Sequence, residues 1–110
     1  MGVRESVLDA LEMLAQPSAQ LQYEKSLVHS GHAPTELVSV FCDDLFNPKN
    51  ETFTSAFSAD ELKGLAHLYG LLVETADSNF PDVTAMLKDP TWRRVVDVAQ
   101  QLRGRMADAR

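Results

Sequence analysis

The sequence predicts an all-α protein, a single-domain bundle of five or six helices over residues 1–110. Three observations lead there. Apolar residues recur at spacings of three and four nearly everywhere, the period of a helix buried along one side. Helix-start signals, Ser58-Ala59-Asp60-Glu61 and Asp89-Pro90, stand directly before the two clearest such runs. A chain of 110 residues with 45% hydrophobic and 24% charged residues has the composition of an ordinary globular domain and is long enough to bury one core.

The elements follow in order. Val3, Val7, Leu11, Leu14 and Ala15 share one face of a first helix, which stops before Pro17. A second helix is expected from Ser18 to about Val28, carrying Leu21, Leu27 and Val28 with Tyr23 on its flank; Tyr23 to Val28 also fits an extended strand. Ser30 to Pro34 is a connector. A third helix is expected from Pro34 to Phe46, with Leu37, Val38, Phe41 and Leu45 facing inward. Pro34 suits a first helical position, where its missing N–H costs nothing. Asn47-Pro48 ends that helix, and Lys49 to Phe57, polar and β-branched, reads as a loop over Phe53 and Phe57.

The fourth helix is the best defined. Ser58 and Glu61 form a capping box, and Phe57 is placed to staple onto Leu62. Leu62, Leu65, Ala66, Tyr69, Leu72, Val73 and Ala76 then repeat at three and four. Gly64 and Gly70 each cost roughly 1 kcal/mol relative to alanine, and a close neighbouring helix would explain them. A short helical turn from Pro81 to Leu87 precedes the last helix, capped by Asp89 with Pro90 at its first position. Trp92, Val95, Val96, Ala99, Leu102 and Met106 form its stripe. Arg93 and Asp97, four apart, are expected to pair on its outer side. Arg103, Arg105 and Arg110 suit the negative end of the helix dipole.

Charge is divided unevenly along the chain. Residues 1–87 hold 13 acids and four bases, a net −9, whereas residues 88–110 hold six bases and three acids, a net +3. The whole is −6. An acidic surface opposes binding to nucleic acid or to anionic membrane, because both require positive charge. The single cysteine, Cys42, precludes an intrachain disulfide and fits a reducing compartment. The N-terminal stretch has neither the basic start nor the apolar run of a signal peptide, and no apolar run approaches the roughly 20 residues of a membrane span. A cytoplasmic protein is expected.

Asp43 and Asp44 are the first candidate site. They fall in the last turn expected of the third helix, where an exposed acid costs roughly 0.3–1 kcal/mol against the dipole. Two acids so placed call for cations. An internal pair with Arg93 or Arg94 would supply them, and so would a basic partner. Adjacent helical residues point about 100° apart, which disfavours a shared acid–base role. Glu36, Asp60 and Glu61 extend the acidic set, and between Glu36 and Asp82 nine acids face two lysines. Tyr23 is either a core residue with a polar tip or an aromatic anchor for a partner.

Other chemistries fare worse. His29 and His32 lack further ligands at metal-site spacing, so no metal is expected. Cys42 is followed by two acids, which disfavour a thiolate, and reads as a small core residue. Met13, Met86 and Met106 read as core filling. No Gly-rich phosphate loop or GxSxG elbow is present, so neither a cofactor nor an enzymatic activity is expected.

Leu21-Gln22-Tyr23-Glu24-Lys25, Pro34-Thr35-Glu36-Leu37, Phe41-Cys42-Asp43-Asp44-Leu45-Phe46, Phe57-Ser58-Ala59-Asp60-Glu61-Leu62 and Asp89-Pro90-Thr91-Trp92 together give the chain a resemblance to small acidic helical immunity proteins of bacterial contact-dependent growth inhibition systems. The resemblance implies a cytoplasmic protein that binds and neutralises a cognate toxin domain, and it carries no site residue over. On charge, that partner is expected to be basic and nuclease-like, with Tyr23, Glu36, Asp43, Asp44, Asp60 and Glu61 as contacts. The alternative is a self-associating structural or regulatory module, a homo-oligomer in which the basic helix of one copy docks on the acidic body of another.

Overall fold

The computed structural model describes residues 2–26, 33–39, 41–42, 46–78 and 80–108. Among them lie seven helices and no strand: α1 Val3–Ala15, α2 Pro17–Ser26, α3 Ala33–Ser39, α4 Glu51–Ser55, α5 Ala59–Ala76, α6 Val83–Met86 and α7 Pro90–Asp108. The longest, α7, packs against both α1 and α5. These three form the frame. Helices α2, α3, α4 and α6 close its remaining sides.

The frame follows from the apolar stripes. Val7, Leu11 and Leu14 of α1, Leu65, Leu68 and Leu72 of α5, and Trp92, Val95, Ala99, Leu102 and Met106 of α7 meet in one buried cluster. Trp92 is fully buried. The helix starts behave as their sequences require. Ser58 Oγ accepts from the Glu61 N–H at 3.2 Å, and Glu61 Oε1 accepts from the Ser58 N–H at 2.8 Å, completing the capping box of α5. Asp89 Oδ2 accepts from the Trp92 N–H at 3.0 Å and caps α7. Gly64 explains itself at the α5–α7 crossing: a Cβ there would overlap the Leu102 side chain, whereas one at Gly70 would meet nothing within 4 Å.

Four features depart from expectation. Residues 49–57 are not a loop throughout, because Glu51–Ser55 forms a helical turn. Asn50 Oδ1 accepts from the Phe53 N–H at 3.0 Å, and Phe53 is buried. Capping and burial there outweigh the low helix propensity of the two threonines. The third helix is regular only over Ala33–Ser39, and the Phe46 N–H then bonds the Phe41 carbonyl at 2.8 Å, a turn one residue wider than α-helical. That turn stacks Phe46 on Phe41, ring centroids 5.6 Å apart, and brings it to Phe53 at 5.7 Å and Tyr69 at 4.8 Å. Finally, Arg93 does not pair with Asp97; its Nε donates to the Leu87 carbonyl at 3.4 Å. Cys42 is half-buried, packed against the core rather than within it.

A buried polar junction locks the frame. Gln20 is fully buried on α2. Its Nε2 donates to the Met13 carbonyl at 3.2 Å and the Leu14 carbonyl at 3.0 Å, and its Oε1 accepts from Trp92 Nε1–H at 3.0 Å. Gln100 Nε2 donates to the neighbouring Ala15 carbonyl at 2.9 Å. The last carbonyls of α1, which no helical N–H can reach, are thus satisfied by α2 and α7. Among the described residues no buried side-chain polar atom lacks a partner.

Gln20→Leu leaves the Trp92 indole N–H and the Leu14 carbonyl without their partners, and a loss of about 3 kcal/mol is expected from urea unfolding. Trp92→Phe added to Gln20→Leu should cost less than Trp92→Phe alone, since the indole N–H has already lost its acceptor. On the open side of α5, Gly70→Ala should raise stability by about 1 kcal/mol through helix propensity. Gly64→Ala should fall below it by about 2 kcal/mol through overpacking against Leu102, a difference that thermal or urea unfolding measures directly.

Candidate partner-binding surface

The residues expected at a partner surface are not equivalent. Asp60 is exposed in the first turn of α5, where an acid also suits the positive end of the helix dipole. Glu36 is half-exposed in the first turn of α3, directly before buried Leu37. Tyr23, on α2, is half-buried with its ring packed on the core. Asp43 and Asp44 lie outside the described residues, as do His29 and His32.

Glu61 is committed internally. Its carboxylate receives both arms of the Arg4 guanidinium, Nη1 at 2.9 Å and Nη2 at 2.8 Å, besides the Ser58 N–H. Arg4 also donates to the Ala56 carbonyl and to the Met106 carbonyl, each at 3.1 Å, and lies 5.8 Å from the centroid of the Phe57 ring. The Arg4 hydrogen bonds draw the Glu61 carboxyl from its ordinary 4.5 to about 2, against the opposing effect of burial and with help from the Ser58 N–H. The pair fixes the start of α1, the start of α5 and the end of α7 to one another.

Although α7 packs on α1 and α5 through its apolar stripe, its described cations pair little with the acidic side chains of the body. Arg103 approaches Glu12 at 3.8 Å, with both side chains about half exposed. Arg93, Arg94 and Arg105 are exposed. Arg94 lines a shallow groove with His67 and Glu74, so the outer edge of α5 borders a cation there instead of continuing as an unbroken acidic stripe. On the other side of the molecule's charge balance, Glu5, Asp9, Glu51, Asp60, Asp77 and Glu74 are all exposed.

An apolar cleft of ≈ 240 Å³ opens beside Tyr23. Ala10, Met13 and Leu14 of α1, Leu37 of α3 and Phe41 complete its walls, and Asp9 is the one charged residue in its lining. The sequence marks Tyr23 as a surface candidate but gives no hint of Asp9, whose i, i+4 spacing to Met13 places it above the cleft only once α3 is known to pack nearby. Among the described residues no three His, Cys, Asp or Glu side chains gather to hold a metal, and no helix is long and apolar enough to cross a membrane.

Fold and surface together define a class no narrower than a small all-α protein with an acid-rich body and a basic last described helix. Comparison with protein-family models, with characterised proteins and with solved structures finds no match to this chain.

Because Glu61 is depressed in the folded state, its contribution to stability is present above the unfolded value of 4.5 and is lost as pH falls through that value toward about 2. Glu61→Gln should therefore flatten the acid limb of the stability–pH curve over that window, measured by urea midpoints at successive pH values.

Proposed function

We propose that this protein is an immunity-type binding protein that occupies and neutralises a basic, nuclease-like bacterial toxin domain in the cytoplasm. The observation that carries this reading is the acidic surface left over after the chain's own cations are placed. Arg4 is held by Glu61, and Arg103 makes a single wide contact with Glu12. Exposed acids on α1, α4 and α5 face solvent with Lys25, Lys49 and Lys63 as the interspersed bases. A nuclease that grips a polyanion presents the opposite charge. Opposed potentials raise association rates toward ~10⁸–10⁹ M⁻¹s⁻¹ at low salt, a speed that suits protection of the producing cell. The resemblance to immunity proteins supports the same reading. The apolar lining of the cleft beside Tyr23 favours binding over acid–base chemistry.

Of the contacts expected from the sequence, Glu36, Asp60 and Tyr23 remain available to a partner, whereas Asp43 and Asp44 lie outside the described residues. Glu61 acts by holding the fold. One observation favours a second reading, the exposed arginines of α7. They fit a self-associating module in which α7 meets the acidic face of another copy.

The test is co-expression with the product of the adjacent gene. A stoichiometric complex that weakens with salt is expected, and Glu36→Lys with Asp60→Lys should slow association at least tenfold while Glu61→Gln changes stability and leaves the rate alone. A chain that forms no complex and instead grows in mass with concentration, reversibly with salt, would establish the self-associating module.

A further inference from the structure

Among the described residues, the cleft between α1, α2 and α3 is a concave surface lined almost wholly by apolar side chains. Its size restricts what it takes. At ≈ 240 Å³ it exceeds the roughly 150 Å³ apolar cavity that holds a benzene ring, and it falls below the roughly 300–1,000 Å³ of pockets that enclose a cofactor or drug-sized molecule. One large side chain suits it.

Charge restricts the occupant further. Asp9 is exposed in the cleft lining, and Glu5, one turn earlier on the same stripe of α1, is exposed as well. The other elements around the cleft bring Glu36 on α3, next to Leu37, and on α2 Glu24 and Lys25. Glu24 is turned to α6, where it accepts from the Val83 N–H at 2.9 Å. Arg4, the base of α1, is held by Glu61. Among the described residues, Asp9 is therefore the charge in the lining, with Glu5 one turn away on α1. Tyr23 offers a ring wall at the same place, and aromatic anchors seated in a desolvated pocket dominate many interfaces.

We propose that this cleft receives one aromatic or large aliphatic side chain of a protein partner, with an adjacent lysine or arginine of that partner meeting Asp9. The inference rests on the partner-binding reading and names the recognition element within it: an apolar anchor beside a cation. The acidic surface then steers encounter, and the cleft holds the complex once formed.

Tryptamine and indole-3-propionic acid test the chemistry directly, because they share a ring and differ in charge. In amide-resolved NMR titrations of the full chain, tryptamine should shift the signals of Ala10, Leu14, Tyr23 and Leu37. Indole-3-propionic acid should do so at least fivefold more weakly. Asp9→Lys, an exposed change that leaves the core intact, should reverse that preference. Ala10→Leu, which fills the cleft, should abolish both titrations. Equal binding of the two probes, shifts elsewhere, or no shift at all would overturn the proposal, and Asp9→Lys alone decides if Ala10→Leu does not fold. With the neighbour's product in hand, Asp9→Lys should speed dissociation at least tenfold. A complex that forms normally but ignores Asp9→Lys would remove the cleft and keep the immunity reading. A cleft that selects tryptamine in a chain that binds no neighbour would remove the immunity reading and keep the cleft.

Discussion

The fold depends on how the C-terminal end of α1 is buried. A helix end presents carbonyls with no partner in their own helix, and placing them in a core without donors is costly. Here three side chains, Gln20, Trp92 and Gln100, close the junction. Gln20 supplies two N–H bonds to the Met13 and Leu14 carbonyls and receives one from Trp92, and Gln100 covers the Ala15 carbonyl. Because these donors come from α2 and α7, they set where both helices sit on α1. The bonds are directional, whereas the surrounding Leu, Val and Met contacts are not. Apolar burial drives collapse, and the polar junction selects the arrangement in which every member is satisfied.

A second fixture at the opposite end of α1 uses charge. Arg4 is a planar fork that reaches a carboxylate and two carbonyls at once, an arrangement that a lysine's single ammonium would not reproduce. One of those carbonyls closes α7, so the cation also sits at the negative end of that helix. With α1 fixed at both ends, the side turned to α2 and α3 keeps its shape, and the cleft beside Tyr23 is bounded by positions that packing has already set.

Much of this fold is legible in the residues. The stripe from Leu62 to Ala76 and the one from Trp92 to Met106 have local periods and local caps, and both helices form where those signals lie, but the buried side of α5 runs through Leu65, Leu68, Leu71, Leu72 and Thr75 and leaves Ala66, Val73 and Ala76 exposed. The signals were readable because helix caps act over three or four residues. What escaped reading acts over long separations. Nothing near Gln20 in sequence points to Trp92, 72 residues away, and nothing near Arg4 points to Glu61, 57 residues away. Residues 51–55 have weak propensity and become helical because Phe53 finds Phe46 and Phe57. The same limit governs the site. An acidic surface is visible as composition, but composition does not separate Glu61, held inside, from Asp60, left outside, although they are adjacent. Asp43 and Asp44, the acids that the sequence singles out most sharply, lie outside the described residues.

The position of α7 bears on synthesis. The final helix supplies the middle of the core, standing between α1 and α5 and providing the indole that completes the Gln20 junction. A nascent chain that has released α1 to α6 from the ribosome still lacks the surface on which Leu11, Leu65 and Gln20 are to be buried. Its helices are exposed on their apolar sides until residues 90–108 emerge. Closure of the core therefore waits for α7, around which the earlier described helices pack. The interval between their emergence and that closure is when the chain most needs protection from aggregation.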